Sequence, residues 1–61
     1  METQVADIAR LLLALRIRRG EAVTATTIKS DVASARFIAE EDIGDDGHER
    51  VVRAVCAMHG V

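Results

Sequence analysis

The sequence predicts an all-α fold, with three short helices in a helical hairpin or open bundle completed by homodimerisation. Three observations lead there. Apolar residues recur at spacings of three and four in three separate stretches, glycines separate those stretches with no proline anywhere, and 61 residues are few for a self-sufficient core. A chain of this size buries only about 60% of the surface its unfolded form exposes. With no Trp, no Tyr and a single Phe, the core has to come from Leu, Ile, Val and Ala. Cys56 is alone, so a disulfide within the chain is excluded and oligomerisation becomes the leading supplement. The chain reads as one domain, 1–61.

The first helix is expected around Thr3 to Arg19. Val5, Ile8, Leu12 and Leu15 share one face, Thr3 is a candidate N-cap, and Gly20 supplies the stop. Arg16, Arg18 and Arg19 stand where cations favour the negative end of the helix dipole. Leu13, Ala6 and Ile17 extend the apolar arc, lying about 80° to 120° around the axis from Val5. They fall outside the stripe that a hairpin partner covers, and are therefore the expected self-association residues.

Residues 21–27 read as a linker entering the second helix, with Thr24 or Thr26 available as its cap. That helix is expected from Ala25 to Ile43, with Ile28, Val32, Ala35, Ala39 and Ile43 inward and Ile38 beside them. This face is rich in Ala, which permits close helix approach. Gly44 ends it and Asp45–Asp46–Gly47 is turn chemistry. Asp46 with Glu49 three residues later resembles a capping box, which starts a third helix running to about His59, with Gly60 closing it. Its inward residues are Val51, Val52, Val55, Cys56 and Met58. The three helices span about 16, 18 and 12 residues.

Charge is polarised along the chain. The net charge is only −2, yet residues 8–39 carry six Lys or Arg against two acids, whereas 40–61 carry six acids against Arg50 and Arg53. The basic cluster Arg16, Arg18, Arg19, Lys29 and Arg36 makes phosphate contact the alternative reading, as in a helix-turn-helix DNA-binding regulator. Two features weaken that alternative: no short first helix and Gly precede a recognition helix, and the second helix is longer than recognition needs. The acidic run from Glu40 to Asp46 does not meet the EF-hand spacing, and it offers a match for the basic half of another chain.

Phe37 projects about 180° from Ile28, away from the expected core. An exposed aromatic brings large contact area, which makes Phe37 the expected anchor for a partner protein. Cys56 and His59 are three residues apart on one helix, but a zinc site needs three or four ligands, and His48 lies about 16 Å further along the axis. No metal and no cofactor is expected. Neither a Ser/His/Asp set nor a phosphate-cradling glycine loop is present, so catalysis has no constellation to rest on. The apolar run Leu11–Leu15 is far short of the roughly 20 residues of a membrane span. A lone Cys without a signal-peptide pattern fits a cytoplasmic setting. The function expected from these residues is a small non-enzymatic regulatory or adaptor protein that binds itself and an unidentified protein, without membrane attachment.

Overall fold

A computed structural model describes residues 2–61, which form three helices: α1 (Glu2–Arg18), α2 (Ala25–Ala39) and α3 (Gly44–His59). They pack into a bundle of 31 × 20 × 15 Å. Two ion pairs set the directions. Arg16 near the end of α1 meets Asp31 in the first half of α2, and Arg50 near the start of α3 meets Glu2 at the start of α1. The order is therefore up, down, up, with α1 and α3 pointing the same way.

The helix ends follow local chemistry. Thr24 caps α2: its hydroxyl accepts from the Thr27 amide at 3.2 Å, while the Thr27 hydroxyl oxygen accepts from the Thr24 amide at 2.8 Å. This reciprocal box satisfies two backbone donors that a helix start leaves open. α1 and α3 close in the same manner. The Glu21 amide reaches the Arg16 carbonyl at 2.9 Å and the Val61 amide reaches the Cys56 carbonyl at 3.0 Å, each across a left-handed glycine, Gly20 or Gly60.

The junction of α2 and α3 differs from expectation. α2 stops at Ala39 rather than Ile43, because Glu40 turns into the left-handed region at φ 53°. Glu40, Glu41 and Asp42 at its end would oppose the helix dipole, which disfavours extension. α3 then starts at Gly44, two residues before Asp46, so Gly44 begins a helix instead of ending one. The Asp42 carboxylate accepts from the Gly44 amide at 3.1 Å, and Asp45 and Asp46 fall in the first turn, where the dipole favours acids. Gly47 is needed for space: a Cβ there would lie 2.8 Å from the Ile43 Cβ.

The core is aliphatic. Val5, Ala9 and Leu13 of α1 meet Ile28, Val32 and Ala35 of α2 and Val51 and Val55 of α3, all buried. Ala9 and Ala35 place almost no bulk between α1 and α2, so these helices approach closely. The inward stripe of α1 is turned about 80° from the expected one. Leu15 is exposed, Ile8 and Leu12 are half-buried, and Leu13, expected outside the covered stripe, is fully buried. Met58 of α3, expected inward, is exposed, as is Ile38 beside the α2 stripe. Among the described residues no helix is long and apolar enough to cross a membrane.

Because Leu13 is one of the largest fully buried side chains, Leu13→Ala should cost about 2 to 5 kcal/mol in a denaturant titration. Ile38→Ala, at an exposed position of α2 outside the core, should cost less than about 0.5 kcal/mol. Equal losses at the two positions would contradict this seam.

Candidate protein-interaction surface

α1 carries more apolar surface than α2 and α3 cover. Outside its inward seam, Leu11 is 66% exposed and Ile17 55% exposed, and Met58 at the end of α3 is 59% exposed. These three line an open groove of about 570 Å³ between α1 and α3, together with Asp7, Arg10, Ala14 and His59. The helices position it simply. Asp7, Arg10, Ala14 and Ile17 follow spacings of three, four and three, which puts them on one outward stripe of α1, and α3 brings its last turn alongside.

Of the three residues expected to drive self-association, only Ile17 reaches this surface. Leu13 is sealed in the core and Ala6 is half-buried against it. Neither side chain forms an open patch, because the seam turned toward the side they occupy. The groove residues Leu11, Ala14 and Met58 escaped the periodicity reading, although the 7–10–14–17 spacing carries the signal.

Phe37 is 86% exposed near the end of α2, on the face opposite the core. α2 contributes nothing to the groove, so Phe37 forms a separate surface.

The basic cluster is less available than its sequence suggests. Arg16 holds Asp31 with two parallel bonds, Nε to Oδ2 at 2.7 Å and Nη2 to Oδ1 at 3.0 Å, and its Nη1 reaches Glu21 at 3.0 Å. Arg19 donates to Glu21 at 2.6 Å. Arg16 and Arg19 are therefore engaged with carboxylates of the same chain rather than presented to phosphate. Arg18, Lys29 and Arg36 make no ion pair among the described residues. The hydrogen bond to Asp31 raises the affinity of the Arg16 guanidinium for its proton.

The polar residues singled out for chemistry stay apart. Cys56 is a half-buried free thiol packed against the core, while His59 lines the groove. His48, at the opposite end of α3, has its Nδ1 buried without a hydrogen-bond partner among the described residues. Among the described residues no group of three or more His, Cys, Asp or Glu is placed to hold a metal ion.

Glu2 ties the start of α1 to α3 through Arg50, and Glu21 ties the α1–α2 connection to the end of α1 through Arg16 and Arg19. The hydrogen bond from Arg50 holds Glu2 below the ordinary carboxyl value of 4.5, and that from Arg19, helped by Arg16, does the same for Glu21, against an opposing effect of desolvation. A carboxylate with a depressed folded-state pKa contributes stability that is present above its unfolded value and lost as pH falls through the folded one. The melting temperature should therefore fall once pH drops below about 4.5, and the fall should be shallower in the double variant Glu2→Gln, Glu21→Gln. Asp31→Ala should lower the melting temperature at neutral pH more than Asp7→Ala, because Asp31 is buried and Asp7 is exposed.

No family model matches this sequence, and neither the curated proteins nor the solved structures contain a match to the chain.

Proposed function

We propose that this chain is a small non-enzymatic regulatory or adaptor protein that acts by binding protein, first of all a second copy of itself. The observation that carries the reading is the groove: Leu11, Ile17 and Met58 are each more than half exposed, and together they line one concavity. Scattered exposed apolar residues are ordinary, but clustered ones in a concave surface favour association. Burying one Leu or Ile fully is worth about 1.5 to 3 kcal/mol, and a two-fold interface counts each contact twice. That supplement suits a core assembled from eight buried aliphatic residues, four of them Val and two Ala. Phe37 then serves as the anchor for a different protein, on a surface that self-association leaves open.

A protein partner is favoured over DNA by charge. A helix-turn-helix reader would present α3 after the turn at 40–43, yet its first turn carries Asp45 and Asp46, followed by Glu49. Phosphates would repel that end. Two of the five basic candidates, Arg16 and Arg19, are already paired.

Sedimentation at tens of micromolar should give the mass of two chains, and the melting temperature should rise with protein concentration. Ile17→Glu should keep the helical circular-dichroism spectrum and lose the dimer. A single-chain mass with a concentration-independent melt would overturn the reading. Phe37→Ala should change neither the melt nor the dimer, so any loss of fold would return Phe37 to a structural role.

A further inference from the structure

The groove has a charge order along α1, and that order distinguishes the ways in which a second copy can enter it. Asp7 lies at its N-terminal end, Ala14 near its middle, and Arg18 just beyond Ile17. By helix geometry Asp7 and Arg18 stand about 20° apart around the axis, on the same side as Leu11. Asp7 precedes Ala14 by about 10 Å of rise and Arg18 follows it by about 6 Å. Asp7 is exposed, with only a loose contact of 3.8 Å to Arg10. Arg18 makes no ion pair among the described residues.

From this pattern, and resting on the self-association reading above, we infer that two copies join antiparallel, α1 against α1, crossing at Ala14, with Asp7 of each protomer facing Arg18 of the other. A two-fold axis perpendicular to α1 exchanges the helix ends but keeps the Leu11 side on the same side. Asp7 and Arg18 of opposite copies then differ by about 4 Å along the axis, within reach of an arginine side chain. The small side chain of Ala14 at the crossing lets the axes approach to about 8 Å. A two-fold axis along α1 does the reverse. It sets Asp7 against Asp7, Arg10 against Arg10 and Arg18 against Arg18, and like charges face to face oppose association.

The bundle as a whole repeats the argument. The α1–α2 end carries Arg18 and Arg19, whereas the α2–α3 end carries Glu40, Asp42, Asp45 and Asp46. A parallel pair lays acidic end beside acidic end, and an antiparallel pair separates them.

The test is a spin-label distance in the full chain. Thr3 is exposed at the start of α1, so Thr3→Cys with Cys56→Ala gives one labelling site per protomer. In the antiparallel dimer the two sites are about 33 Å apart along the axis, and in a parallel one they lie side by side. A distance of about 25 Å or more is expected, and a shorter one overturns the inference. A second series needs no label. Asp7→Arg and Arg18→Asp should each weaken dimerisation by about three- to thirty-fold, while the two together should restore it, because the exchanged pair is again opposite in sign. A double variant no better than the single ones overturns the antiparallel arrangement even though the wild-type protein dimerises. A wild-type protein that sediments as one chain overturns the self-association reading itself.

Discussion

Because apolar side chains surround most of α1, burial alone does not decide which stripe turns inward, and the decision falls to Arg16 and Asp31. Arg16 continues the line of Val5, Ala9 and Leu13, one turn further on. Its guanidinium grips a carboxylate that sits between Ile28 and Val32 in sequence and is only 5% exposed. A buried carboxylate without a partner is costly, and a planar fork that meets both of its oxygens is the arrangement that offsets the cost best. Rotating α1 by one stripe would leave Asp31 stranded. The pair therefore sets the rotation of α1, and Glu21, reaching the same guanidinium from the loop, ties the α1–α2 connection to it.

That rotation explains both what the sequence revealed and what it concealed. Three helices, a threonine cap at Thr24 or Thr26 and the glycine ends at Gly20 and Gly60 were legible, because each depends on neighbours within a few residues. The inward stripe of α2 was legible from Ile28, Val32 and Ala35, since Phe37 and Ile38 are the only large apolar residues of that helix off the stripe. α1 offered no such contrast. Leu12 and Leu15 outweigh Ala9 by size, so periodicity favoured the stripe containing them, and only a contact fifteen residues away in sequence selects the other. The start of α3 was obscured because Gly44 can end a helix as readily as begin one. The outward position of Phe37 was legible, because half a turn from Ile28 leaves no ambiguity. The groove was not, since Leu11 and Met58 belong to different helices and come together only when α1 and α3 run side by side.

The candidate surface is thus a by-product of the same choice. Once Val5, Ala9 and Leu13 face inward, Leu11 and Ile17 face outward on either side of Ala14, and the end of α3 supplies Met58 as one wall. Neither α2 nor the rest of α3 covers them. The apolar excess of α1 and the shortage of core are two sides of one arrangement. Phe37, at the far end and on another helix, lies outside it, so the two exposed surfaces are free to serve different contacts.

The up-down-up order also governs how the chain comes to be structured. α1 with α2 and α2 with α3 are hairpins closed by four- to six-residue connections, so these contacts need only short loops to form. The contact between Glu2 and Arg50 spans 48 residues and closes only when α3 lies back along α1. Bundles dominated by local contacts of this kind reach the native state in microseconds to milliseconds. The late event in such a scheme is the seating of α3 beside α1, and that event also builds the groove. Leu11 and Ile17 are exposed on α1 from the start, but the concavity that sets Met58 beside them exists only once α3 is seated, so its shape belongs to the fully folded chain alone.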